Sequence, residues 1–536
     1  MPRSESGVPI VTLSRIHLRC FQNADRDCVG MALEKTIDQD RRLSALSLTD
    51  AGGRVAMPCY SRAEIGCGIV HLGLGAFHRA HQAEYTDSAI AKFGGDWKII
   101  GVSLRKPDVR DQLNPQDGLY TVAEISDSVT SYRIVGSIDR VLVAPEDPRA
   151  VLDAMSAADC RIVSLTITEK GYCHDPATGR LNTEHPGIRH DLGEPLRPAT
   201  ALGFITESLA VRRQDGLPVP TILCCDNLPS NGDTLRNLVI EFAALRDAGL
   251  AEWISDSVPF PNSMVDRIVP ATQPEDIEAL RRVCGCVDKG MVKAERFSQW
   301  VIEDRFANGR PRWEAVGVDM VDNVEPFEIA KLRLLNGTHS AIAYLGYVAG
   351  HRYVHDVMAD RSFRRYLRGL MHDEIIPTLE QPAGIDLDEY ADSLIERFGN
   401  SALNHRLHQI AMDGSQKMPQ RWLNTVRDLL QAGRSFEHLA LAIAAWIRYA
   451  MAYDDAGAAI EVQDPLAETC KQIEQNSIEG KLVGVERLVD GMFGLTAVFG
   501  EDLRRDARLK SRVVYWLSNL LGNGVSTTLK LMVPIK

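Results

Sequence analysis

Four polar side chains set among leucines carry the densest chemistry in the sequence: Glu328, Lys331, Asn336 and His339. Read as an unbroken α-helix at about 100° per residue with Lys331 at 0°, Glu328 falls at about 60°, His339 at about 80° and Asn336 at about 140°, so all four share one side. A lysine in a desolvated pocket loses its preference for the charged form and can exchange a proton with a hydroxyl or carbonyl oxygen. Two carboxamides could hydrogen-bond the developing alkoxide without a metal, and a neutral imidazole could orient the same oxygen or its neighbour. Asn227 is the candidate second amide. It stands in the run from Cys225 to Leu228, just beyond an expected strand, where open α/β sheets hold ligands. Glu328, one turn before Lys331, is the candidate proton relay. The plain alternative is a solvated helix face with an i to i+3 Glu–Lys pair worth ~0.2–0.5 kcal/mol, and Asn227 as a turn filler before Pro229.

Such groups need a scaffold. From about residue 60, short β-branched runs alternate with longer helical periods: Ile69 to Leu72, Lys98 to Leu104, Arg161 to Thr168 and Thr221 to Cys225. Their near-continuous apolar character predicts a parallel sheet covered on both faces. The first run leads into a turn with Gly73 and Gly75, followed by Phe77, His78, Arg79 and His81. Gly73 suits a tight turn, and Gly75 lets the backbone approach a pyrophosphate at a helix start. The third fingerprint position is His78 rather than Gly or Ala, so an ordinary glycine turn in an α/β domain stays open. His78, Arg79 and His81 read as cation partners for phosphate or as exposed helix residues. At the end of the second run, Arg105 and Lys106 could accept the 2′-phosphate of NADP, whereas Asp108 could reach the 2′-hydroxyl of NAD.

After about Pro326 long amphipathic patterns replace the β-like runs: Phe327 to Leu345, Trp422 to Gln431 and Phe436 to Met451. The expected organisation is an N-terminal extension over 1–41, a Rossmann-type α/β domain over 42–325 and a mainly α-helical domain over 326–536. The chain has 536 residues, 45% apolar and 25% charged, which suits a globular protein of two or three domains. Its 72 acidic against 60 basic side chains give a net charge of −12, and that excess disfavours nucleic acid and anionic membranes as partners. The longest apolar run, Leu439 to Ile447, stops at Arg448, well short of the ~20 residues needed to span a bilayer. The eleven cysteines show no CxxC pair and read as mostly buried thiols, a zinc site lacking further ligands nearby. A cytoplasmic address is expected, as is a monomer or dimer.

On these residues the chain resembles the polyol-specific long-chain dehydrogenase family, from about residue 42 to the C-terminus. The resemblance rests on the stretches Gly73 to His81, Thr166 to Tyr172, Cys225 to Pro229 and Phe260 to Arg267, with the signature Lys331-x5-Asn336-x2-His339. It implies a Rossmann-type domain and a helical domain with the active site in the cleft between them, NAD as cofactor with NADP also open, and no catalytic metal. Carried over, Lys331 resembles the general acid/base, Asn227 and Asn336 the oxyanion pair, and His339, Asp266 and Lys417 substrate-binding positions. Gly73, Gly75, Phe77, Arg79 and Arg105 are the expected cofactor contacts. The segment His405 to Arg421 resembles the fructuronate reductase branch, with Gln409 where polyol enzymes tend to have Arg, and Arg406, Lys417 and Arg421 as cations able to meet a hexuronate carboxylate. The expected reaction is therefore between D-fructuronate and D-mannonate. Its rivals are the same chemistry on mannitol or arabinitol, a non-catalytic dinucleotide sensor and a zinc alcohol dehydrogenase.

Overall fold

The computed structural model describes residues 41–44, 54–126, 129–175, 178–479 and 482–532. The expected N-terminal extension, Arg41 aside, lies outside these described residues.

A five-stranded parallel sheet forms the first half: β1 (Cys67–Leu72), β2 (Lys98–Ser103), β5 (Ile138–Val143), β6 (Ile162–Leu165) and β7 (Thr221–Cys224), in the spatial order β5-β2-β1-β6-β7. This is the doubly wound Rossmann order, with its switch point between β1 and β6. Alternation along β1 sends Val70 and Leu72 into one apolar layer and Ile69 into the other, so both sheet faces are dry, as the unbroken apolar runs require. Two smaller sheets, which the sequence patterns leave unassigned, complete this half. One joins β3 (Tyr120–Ile125), β4 (Thr130–Val135) and β9 (Val292–Glu295). The other joins β8 (Ser263–Asp266), β10 (Gln299–Glu303) and β11 (Asp319–Val321).

The second half is helical around its own large core, which starts at Ala330. The helix Glu437–Ala450 is buried almost all round and packs on Thr338–Val348 and Ala507–Leu531, the behaviour of a central helix with no polar face. The expected single helix from Phe327 onward is in fact three joined pieces: an α-helix over Glu325–Ala330, a π-helix over Lys331–Gly337 and an α-helix over Thr338–Val348. The widened turn alters the angular reading made for a uniform α-helix. A π turn bonds i to i+5, and Lys331 and Asn336 are spaced by that interval, so Asn336 rotates back toward Lys331. Among the described residues no helix is long and apolar enough to cross a membrane.

Candidate active site

The chemistry gathers where the C-terminal end of β7 meets the π turn. Asp226, one residue beyond Cys225, accepts from the backbone N–H groups of Ile167 (2.8 Å) and Thr168 (3.0 Å) and from the Tyr172 hydroxyl (2.6 Å). It ties the loop after β6 to the loop after β7, which steadies Asn227. The Lys331 Nζ donates to Asn227 Oδ1 at 2.6 Å and to the Val265 carbonyl on β8 at 2.5 Å. Lys331 is buried, and desolvation lowers its pKa despite the nearby Asp266 carboxylate. Asn227, Asn336, Glu328 and Lys331 line one cavity, together with Leu332, Gln420 and Met264. The structure thus brings together four of the residues expected from sequence. Glu328 accepts from the Ser230 N–H at 3.2 Å, and burial raises its pKa.

His339 lies one turn further on, buried against Phe398 (ring centroids 4.7 Å apart) and edge-on to His405 (4.9 Å). Burial pushes its pKa well down, and its Nε2 has no hydrogen-bond partner among the described residues. Arg421 donates to the Asn336 carbonyl at 3.3 Å and to Ser340 Oγ at 2.7 Å, and burial lowers its pKa. Lys417 donates to the Met412 carbonyl at 2.5 Å; burial and then Arg421 hold its pKa down. Arg406, expected at the substrate, is instead exposed on the loop that bridges to Tyr353 and does not line the cavity.

Asp266 is not free in the cleft. Both its oxygens are held by Arg397, at 2.9 and 3.1 Å, and the same guanidinium holds both oxygens of Glu295, at 2.8 and 3.0 Å. Burial alone would raise Asp266, but the Arg397 charge outweighs it and keeps the pKa low; at Glu295 burial, with the Asp266 charge beside it, prevails over Arg397 and the pKa stays raised. This buried triad joins β8 and β9 to the helix Leu387–Gly399 and stands one residue from the carbonyl that holds Lys331. Sequence reading missed Arg397, Gln420, Phe398 and His405, of which Gln420 and His405 lay inside a segment already singled out.

At the glycine turn, Gly73 has φ +88°, and a Cβ there would sit 2.2 Å from the Thr166 carbonyl oxygen, so a side chain is barred twice over. A Cβ on Gly75 would meet nothing nearer than 3.8 Å; the space above it is open for a ligand. This fits a dinucleotide pyrophosphate crossing the switch point. The cations expected beside it are elsewhere. Arg79 is buried behind the turn, its guanidinium on the Gly290 and Gly75 carbonyls, so it braces the loop from below. His78 is stacked on His71 at 3.4 Å, and His81 is buried with Nε2 on the Gln299 carbonyl. All three follow a helical turn whose later positions face the core, not the opening. Phe77 is half-buried and stacks on His81. Arg105, Lys106 and Asp108 are exposed beyond β2, near a cleft of about 530 Å³ lined by Leu104, Ala144, Pro145, His190 and Arg197.

Comparison with known proteins gives these features a family. Residues 67–315 match the mannitol dehydrogenase Rossmann domain, and residues 323–521 match the mannitol dehydrogenase C-terminal domain. The chain belongs to the mannitol dehydrogenase family. It is 44% identical to the D-mannonate oxidoreductase of Escherichia coli strain K12 over 465 residues, covering 86% of this chain and 94% of that protein. It is 39% identical to a mannitol 2-dehydrogenase of Phaeosphaeria nodorum, over 89% of this chain and 83% of that protein. The solved Pseudomonas fluorescens mannitol 2-dehydrogenase, a ternary complex with NAD and D-mannitol, superposes with TM-score 0.78 at 40% identity over 92% of this chain and 100% of that one. The protein is accordingly an oxidoreductase, an NAD(P)-dependent secondary-alcohol dehydrogenase with a Rossmann half and a helical half.

Proposed function

We propose that the protein interconverts D-fructuronate and D-mannonate, with NAD as cofactor and Lys331 as general acid/base. The observation that carries the proton-transfer role is the Lys331 amine. Two of the three tetrahedral positions on its Nζ are taken by acceptors, Asn227 Oδ1 and the Val265 carbonyl. In the neutral amine two N–H bonds occupy those positions and the lone pair takes the third. In oxidation that lone pair accepts the hydroxyl proton; in reduction the ammonium returns it. Burial lowers the Lys331 pKa, which weakens its hold on the proton and eases transfer in the direction of reduction.

Because Asn227 Oδ1 is occupied, its NH₂ group is available to the reacting oxygen, and Asn336, which lines the same cavity, supplies a second amide. Donors fixed before reaction stabilise the alkoxide-like oxygen without reorganising. The unpartnered His339 Nε2 is suited to a neighbouring substrate hydroxyl, since buried polar atoms rarely stay unsatisfied. Glu328, with its raised pKa, can pass the proton between Lys331 and solvent. Asp266 acts through charge and through its neighbour Val265, its oxygens being committed to Arg397.

When bound, a nicotinamide dinucleotide would supply the hydride chemistry. Gly73 and Gly75 would hold its pyrophosphate, and the cleft at the ends of β2 and β5 would take its adenosine half. The NAD in the Pseudomonas fluorescens complex supports NAD, while exposed Arg105 and Lys106 favour a second reading, NADP. For the substrate, the supporting observation is Lys417 and Arg421, two partly buried cations on one short segment. Among the described residues their hydrogen-bond acceptors are neutral. A hexuronate carboxylate would satisfy them, whereas a polyol brings no charge. The test is oxidation of NADH and NADPH by purified protein with fructuronate and with fructose. Faster turnover of fructose, or of mannitol over mannonate in reverse, would replace the carboxylate reading by the polyol one.

A further inference from the structure

Away from this site, the helix Pro274–Cys284 ends in Cys284-Gly285-Cys286, with Gly285 in the left-handed conformation at φ +73°. That turn folds the two thiols onto each other, Sγ to Sγ at 3.2 Å, with the Cys284 sulfur also 3.2 Å from the Cys286 carbonyl. Residues two apart are always within the ~7 Å Cα separation that a disulfide tolerates. Closing the bond requires the sulfurs to approach from 3.2 Å to about 2.05 Å. Gly285 can absorb that movement, because nothing lies within 4 Å of where its Cβ would be. The neighbouring thiol also holds the Cys284 pKa below the ordinary thiol value, whereas burial raises those of Cys160, Cys173, Cys224, Cys225 and Cys470. The thiolate is the reactive form, and Cys284 keeps 9% of its surface exposed.

We propose that Cys284 and Cys286 are an oxidisable dithiol that closes to an intramolecular disulfide with hydrogen peroxide as oxidant. The Cys284 thiolate attacks one peroxide oxygen: an S–O bond forms, the O–O bond breaks, and the departing hydroxide leaves as water with the first thiol's proton. The Cys286 thiol then attacks that sulfur: the S–S bond forms, the S–O bond breaks, and a second water leaves with the second thiol's proton. Two thiols lose two electrons and one peroxide becomes two waters, the first steps of the ordinary cysteine oxidation ladder. A dithiol reductant reverses the change by exchange.

The two cysteines share one tryptic fragment, Val283 to Lys289, which contains no other cysteine, so the test is direct. The full chain is treated with hydrogen peroxide, alkylated without reduction, digested and weighed. The expected product is that fragment lighter by two hydrogen atoms and carrying no alkyl group, restored to the doubly alkylated form by prior dithiothreitol. In Cys284→Ser and Cys286→Ser variants the light fragment should be absent, and each should fold, since serine is close in volume. Exposed Cys59 reports that the oxidant was effective. If Cys59 is oxidised while the fragment stays doubly alkylated, or ends as sulfinic acid on one cysteine, the proposal is overturned. Oxidation that begins only after a chelator strips a thiophilic metal would likewise overturn it in favour of a metal-held pair.

Discussion

Replacing Arg397 by Met removes the one cation between two buried carboxylates, Asp266 at 4% and Glu295 at 2% exposure. Four hydrogen bonds of 2.8 to 3.1 Å are lost, and neither carboxylate can return to water without parting β8 and β9 from the helix Leu387–Gly399. Breaking a buried ion pair from one side costs about 3–5 kcal/mol. At ~2 °C per kcal/mol for a lobe of this size, Tm should fall by roughly 6–10 °C. The loss should depend on pH with a definite sign. In the native protein Arg397 depresses the Asp266 pKa, so its stabilisation is present above the unfolded value of about 3.9 and disappears as pH falls through the lower folded value. In Arg397→Met burial is opposed only by the Lys331 and His81 charges at Asp266 and by the Ile268 N–H at Glu295, so both carboxylates rise. The penalty is then full at pH 8 and is relieved by protonation as pH falls toward 5. Thermal melts of both proteins at pH 8, 7, 6 and 5 should show the gap narrowing, and Arg397→Lys should fall between them. Because Asp266 follows Val265, whose carbonyl holds Lys331, kcat should also fall ~10- to 100-fold. A Tm within 1 °C of the native value, or a gap constant across that pH range, would refute the account of this triad.

Lys331→Ala should lose ~10²- to 10⁴-fold in kcat while dinucleotide affinity, read by nucleotide fluorescence titration, stays within about twofold. In the native enzyme, alcohol oxidation should rise with pH through the lowered Lys331 pKa and carbonyl reduction should fall through it, which a paired pH profile of kcat/KM will show. Gly73→Ala should raise the KM for dinucleotide and destabilise the fold by about 1–3 kcal/mol, because of the Thr166 carbonyl and the positive φ; an unchanged melt would mean the turn relaxes freely. Lys417→Met should raise the KM for mannonate ~10-fold or more, the worth of one charge-assisted hydrogen bond, and leave turnover of mannitol little altered.

What the sequence determined by itself was whatever is encoded within one turn or one strand. The apolar runs of β1, β2, β6 and β7 predicted their own burial, the glycine turn carried its geometry in Gly73, and Lys331, Asn336 and His339 lay close enough along the chain to be read as one cluster. Local periodicity reaches no further. The π turn is invisible to a uniform α-helical count, because its residues have ordinary helical propensities, and its Asn336 and Gly337 carbonyls accept from Arg421 and Trp422, some 85 residues away along the chain. His78, Arg79 and His81 read as surface cations, yet the short helix after Gly75 turns them into the core, where carbonyl groups and a stacked ring receive them. Asp266 and Arg397 are 131 residues apart and Glu295 and Arg397 102 apart. No spacing rule links them, since the charge of one matters to the others only once folding has removed the water between them.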